Sequence, residues 1–374
     1  MQLKNMFQRT PRWMAIYYGM MALWLGTTAM HIPDGYLSPI TCIIMLLLVL
    51  PFWVRGVQAL RKKMNAKNIP LIALMAAFSF VIMMFNVPLP GGTTGHAVGG
   101  ALIAIILGPE IATMAVSIAL LIQALFFGDG GILSFGANCF NMAVVLPYVS
   151  YAIYQAIAGK TASDSRRRLV GAGVGAWIGL TVAAFFAAVE FGIQPALFHT
   201  ADGAPLYAPY PLSVSIPAMV IPHLLVASVV EGLVTVAVVA FLQRSNLAAL
   251  EMSGQSAAAR EQGGFKPWRA GWIGLAVLIL ISPIGLLAPG TAWGEWGAEE
   301  LTGMGFSSIP QGFAKLSTLW SAPLPDYDLP ALGNTTAAYI LSAVVGILVV
   351  SLVVWLFSLL VMGGKSEPKS PAAS

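Results

Sequence analysis

Charge is what this sequence has least of. Only 9% of its 374 residues are Asp, Glu, Lys or Arg, against roughly a quarter in a soluble domain, which excludes a water-solvated globule of this length. Cysteine is almost missing as well. Cys42 and Cys139 lie far apart, each in or beside an apolar run, with no CxxC or Cys/His spacing around them. That excludes a disulfide framework and a cysteine-based zinc site, and leaves two small packing residues. The chain also lacks GxxxxGK[ST] and HExxH, so it carries neither a loop to cradle ATP phosphates nor the helix of a zinc peptidase.

What is present is apolar. Hydrophobic residues make up 58% of the chain and the mean hydropathy is +0.81, so the solvent is largely lipid and an all-α, polytopic transmembrane helical bundle is expected. The basic pI of about 9.1 does not point to nucleic acid, because the bases fall in short clusters between apolar runs, as loops at a membrane face do. The runs predict spans near 38–55, 69–87, 97–108, 110–127, 136–158, 169–191, 213–242, 270–288 and 336–362, the third and fourth divided at Gly108-Pro109. Ahead of them, Lys4, Arg9 and Arg12 precede an apolar stretch ending in small residues, Thr27-Thr28-Ala29. Residues 1–29 therefore read as a cleavable signal peptide, with an extra span as the alternative.

If residues 1–12 lie in the cytoplasm and each run crosses once, every Lys and Arg except Lys315 falls on the cytoplasmic side. A missed span would scatter those clusters over both faces. The organisation that follows is a membrane domain over 30–245, a polar cytoplasmic linker over 246–268, a two-span module over 269–363 with an external loop, and a disordered cytoplasmic tail over 364–374.

This topology puts His31 and His96 on the external face, each at the mouth of a span. Imidazole is the commonest protein ligand for transition metals. If processing follows Ala29, the chain begins Met30-His31, and the free amine, the next backbone nitrogen and His31 Nδ1 chelate one ion, with His96 at the fourth corner. Such tetragonal nitrogen coordination favours Ni(II) or Cu(II). The same two histidines also fit ordinary interfacial residues that cap helices or meet headgroups. Asp34 reads equally as a loop stabiliser or as a group orienting His31. Thr94, Asn138 and Asn141, with Asn86, Thr93 and Asp129, read first as loop packing and second as supports of the histidines. Glu190, His223 and Glu231 lie inside apolar spans, where mutual or interhelical pairing is expected. Gly171, Gly175 and Gly179 form a small-residue stripe suited to internal helix contact.

Four segments carry a family likeness: MHIPDGYLSP at 30–39, PLPGGTTGHAVGGALIAIILGP at 88–109, LLIQALFFGDGGILSFGANCFNMAVV at 120–145 and HLLVASVVEGLVT at 223–235. Together they resemble the CbiM/NikM family, the substrate-capture subunits of energy-coupling-factor transporters for cobalt and nickel. The resemblance implies that Met30, His31 and His96 hold the metal. It also implies that Ni2+ or Co2+ is the transported substrate with no organic cofactor, and that the chain is no enzyme. The implied partners are a transmembrane coupling subunit (CbiQ/NikQ-like), ATPase subunits (CbiO/NikO-like) and membrane lipid, with no nucleic acid. The implied location is a bacterial or archaeal cytoplasmic membrane, with the metal site outside and the C-terminus inside. Residues 269–363, through ISPIGLLAPG and PLPDYDLP, resemble the PDGLE-type domain analogous to CbiN/NikN, although the namesake tetrapeptide is absent. Its external loop, which has no His or Cys, is expected to touch the capture face and affect loading without supplying a ligand. The rival readings are a self-standing divalent metal permease, for which no inverted repeat stands out, and an intramembrane metalloenzyme, for which no general base is evident.

Overall fold

The computed structural model describes residues 30–63, 69–89, 93–244, 267–288, 295–303 and 309–362. Residues 1–29, where a signal peptide is expected, most of the expected linker and the expected tail lie outside the described residues. Among the described residues, six helices are long and apolar enough to cross a membrane: Pro39–Lys62, Pro109–Phe127, Phe135–Ala158, Arg166–Leu197, Leu212–Arg244 and Thr335–Val361. Shorter apolar helices occupy Ile69–Met83 and Gly271–Leu287, and a wholly buried one runs over Gly100–Leu107. These helices stand where the apolar runs place them. Their outward faces carry exposed Ile43, Leu47, Leu348 and Leu360, as lipid contact requires.

The break at Gly108 has a backbone cause. Its φ of 92° is open only to glycine, and Pro109 restarts the helix from its first position, where a missing N–H costs nothing. The glycine stripe is an internal contact. A Cβ at Gly175 would lie 2.6 Å from the Ser150 carbonyl, and one at Gly179 would lie 2.9 Å from that of Leu146, so the Arg166–Leu197 span meets Phe135–Ala158 backbone to backbone.

Two features escape the hydropathy pattern. Gln123–Phe127, Cys139–Val145 and His223–Ala227 are π-helical turns, and one extra residue in a turn leaves an all-apolar run looking the same. A short antiparallel hairpin, β1 (Val87–Leu89) and β2 (Thr93–Gly95), pairs Val87 with Gly95, Pro88 with Thr94 and Leu89 with Thr93, ahead of His96.

The C-terminal module packs on Ile69–Met83. The Phe80 ring lies over Gly346, Leu74 lies against Gly271, and the Tyr339 hydroxyl donates to the Met84 carbonyl at 2.7 Å. The segment between its two helices also reaches the first domain, where Leu324 N–H donates to the Phe126 carbonyl at 2.9 Å.

Candidate metal centre

The segment Met30–Leu37 is buried almost throughout, although it carries His31 and Asp34. It is irregular chain, so its backbone groups need partners from elsewhere. The segment 128–138 supplies them. Gly131 N–H and Ser134 Oγ donate to the Ile32 carbonyl at 2.9 and 2.5 Å. Asn138 accepts from Ile32 N–H at 2.7 Å and donates to the Ile32 carbonyl at 3.1 Å. In return, Asp34 accepts the N–H groups of Ile132, Leu133 and Ser134 at 3.0, 2.8 and 3.1 Å. Asp34 thus joins two loops, and Asn138 holds the backbone next to His31. Asp34→Ala removes the acceptor of three backbone donors, the Ser134 bond buried and the other two partly so, and is expected to lower stability by about 1–3 kcal/mol, read as a fall in the thermal midpoint of the detergent-purified protein.

His31 is 1% exposed and His96 6%. Their rings meet edge to face, with centroids 4.9 Å apart and planes at 60°. The loop before Gly100 is buried, so His96 is an interior residue and not a side chain on an open loop. Its Nδ1 lies 3.2 Å from the Ala97 carbonyl. Burial, and then the neighbouring His31, push the His96 imidazole down to about 3, which keeps the ring neutral and its lone pair available to a cation.

His31 Nδ1 is hydrogen-bonded to the Asp129 carboxylate, while its Nε2 is buried without a partner. Asp129 sits between Gly128 and Gly130, whose φ angles of 71° and 88° bend the chain under the imidazole. Burial alone would raise the Asp129 carboxyl. The His31 ring and its hydrogen bond, followed by His96 and the Tyr327 hydroxyl, outweigh it and hold the group below the usual carboxylate range. An acid between two glycines was visible in the sequence, but its reading there was loop packing.

The second module completes this environment. The Tyr327 hydroxyl donates to Asp129 and accepts from Gln123 Nε2 at 2.9 Å, and its ring stacks on Phe127 at 4.7 Å. Asp326 and Tyr327 both have left-handed backbones, with φ of 55° and 59°, a costly conformation for a bulky side chain. That backbone turns the ring inward. Glu295 faces the backbone amide of His31, and its Oε1 is buried without a partner. Burial, and then the Asp129 charge, push its carboxyl well above the ordinary range. A cleft of about 200 Å³ opens between the two parts, lined by Asp34, Gly130 and Gly131 of the first domain and by Glu295, Trp296 and Phe313 of the module, and neither histidine lines it. The expected contact between the module's loop and this face is therefore present.

Other candidates lie apart from the histidine pair. Asn141 donates to Glu190 at 3.0 Å, so its amide is engaged between two spans. Thr94 is buried in the hairpin opposite Pro88. His199 is bonded to the Thr200 carbonyl at 3.0 Å in an exposed turn. His223 and Glu231 do not pair with each other: His223 Nδ1 meets the Met219 carbonyl at 2.8 Å, and Glu231 reaches the backbone after His96.

Comparison with known proteins agrees with the motifs. The CbiM family, described as a cobalt uptake substrate-specific transmembrane region, matches residues 31–248, and the PDGLE domain matches 267–363. The fused nickel transport protein NikMN of Rhodobacter capsulatus is 51% identical over 85% of this chain and 94% of its own length. The probable fused nickel transport protein LarMN of Lactiplantibacillus plantarum is 43% identical over 87% and 96%. A crystal structure of a transition metal transporter aligns with a TM-score of 0.54 at 47% identity, covering 58% of this chain and 93% of that one.

Proposed function

Because the chain belongs to the CbiM family of cobalt-uptake transmembrane regions and carries a PDGLE domain behind it, we propose that it is the substrate-capture subunit of an energy-coupling-factor transporter. It takes Ni2+ or Co2+ at the external face of a bacterial or archaeal cytoplasmic membrane, and its C-terminus lies in the cytoplasm. The observation that carries this reading is the buried meeting of His31 and His96 beside one anionic carboxylate. Two imidazole rings and a carboxylate in a buried pocket favour a divalent transition ion over sodium or potassium.

Met30 contributes its backbone amine once residues 1–29 have been removed. Met30 is 1% exposed, and its burial next to His31 supports that assignment. The amine, the His31 amide nitrogen and His31 Nδ1 would then hold the ion, the amide passing its proton to the Glu295 carboxyl that faces it, with His96 at the fourth position and Asp129 giving up Nδ1 and remaining as counter-charge. With no phosphate-cradling loop in its own sequence, the chain depends on a separate ATPase acting through a transmembrane coupling subunit.

Intact-mass measurement and nickel titration of the same purified sample test this. A chain beginning at Met30 that binds one equivalent of Ni2+ or Co2+ is expected. Full binding by a chain that retains 1–29 would remove the amine from the ligand set, and no binding by a correctly processed chain would overturn the capture function.

A further inference from the structure

The short helix Gly100–Leu107 starts immediately behind His96, and its start has no cap of its own. Gly99 occupies the N-cap position with φ 75° and offers no side chain, and a Cβ there would lie 2.7 Å from the Phe78 ring. A serine or aspartate cap is thus sterically excluded. The N–H donors that every helix start leaves over are met instead from another span. Glu231, 0% exposed, accepts from Val98 N–H at 2.8 Å and Gly99 N–H at 2.9 Å through Oε2, and from Ala101 N–H at 3.3 Å through Oε1. The opposite side of the same peptide segment is also held, since Ser79 Oγ donates to the Val98 carbonyl at 2.8 Å.

We propose that Glu231 is the positioning residue for His96: its carboxylate fixes the 96–99 turn from the Leu212–Arg244 span and so sets where the imidazole stands against His31. This inference rests on the capture reading above for its consequence, though not for its geometry. Val98 is two residues from His96 and is clamped at both its N–H and its C=O, so the turn has little freedom to swing while both clamps hold. A carboxylate suits the place because it accepts at both oxygens, favours the positive end of a helix and makes stronger bonds than a neutral acceptor. The same span ends at the cytoplasmic face, where Gln243 donates to the Ser163 and Ser165 carbonyls at 2.8 and 3.2 Å. One continuous helix therefore connects the histidine turn to the inner surface, and tilting it displaces His96.

The test uses the full chain in detergent, with Glu231→Leu and Glu231→Gln alone and combined with His96→Ala. Glu231→Leu is expected to weaken Ni2+ binding about 10–100-fold, the range for groups that orient a metal ligand, and to remove one imidazole from the X-ray absorption signature of the bound nickel. In the His96→Ala background it should cost almost nothing more, because the two act through one ligand. Glu231→Gln, which keeps one carbonyl oxygen, should retain an intermediate affinity, and it carries the same cycle if the leucine variant fails to insert. Hydrogen exchange of metal-free protein should accelerate at residues 98–101. Additive losses in the double variant, or unchanged exchange at 98–101, would overturn the proposal. Accelerated exchange with His96→Ala itself harmless would uphold the clamp and refute the capture reading.

Discussion

His31→Ala abolishes metal capture, with a loss of at least about 1,000-fold in Ni2+ and Co2+ affinity expected for removal of a chelating donor from a site of few ligands. His31 is the residue on which the pocket converges: His96 meets its ring, Asp129 its Nδ1 and Glu295 its backbone. His96→Ala follows with a smaller loss, because it removes one monodentate donor and leaves the chelate. His199→Ala, in an exposed turn outside this cluster, leaves affinity unchanged. Isothermal titration of the three purified variants gives the ranking directly. Equal losses at His96 and His199 would mean that the site is wrongly placed.

Asp129→Ala produces the next largest effect, a fall of about 10–100-fold in affinity. A divalent ion buried beside two imidazoles carries positive charge that the protein interior cannot solvate, and Asp129 is the carboxylate bonded to the His31 ring. Asp129→Asn preserves shape and removes the charge, so it should lose most of the same affinity. Tyr327→Phe deletes the module's hydroxyl on Asp129 and leaves its ring stacked on Phe127, so a loss of only a few-fold is expected. In the Asp129→Ala background that loss should vanish, since the hydroxyl acts through Asp129. Wild-type affinity in Asp129→Ala would show that the carboxylate merely packs the loop. A Tyr327→Phe loss that persists without Asp129 would show that the module reaches the ion by another route, with Glu295 the nearest candidate.

Much of the architecture was readable along the chain. Apolar runs placed the helices, because a lipid-facing span must satisfy every backbone group internally and announces itself by length and hydropathy. The histidines could be singled out because imidazole is uncommon here and both rings fell at the mouths of expected spans. Asp34, Asn138 and Asn141 were visible as polar groups in apolar surroundings, yet nothing in their spacing said which backbone each would meet. Asp34 went to residues 132–134, Asn138 to Ile32 and Asn141 to Glu190.

By itself the sequence determined that this is a multi-pass helical membrane protein, since hydropathy and residue type are local properties. Tertiary structure alone decided the rest. Asp129 stands under His31 because two left-handed glycines turn the chain there, Tyr327 reaches Asp129 from a second module docked on Phe80, and Glu231 caps a helix whose own N-cap position admits no side chain. Each of these pairings joins residues far apart in the chain, and a buried polar group takes whatever partner the packing brings within hydrogen-bond reach.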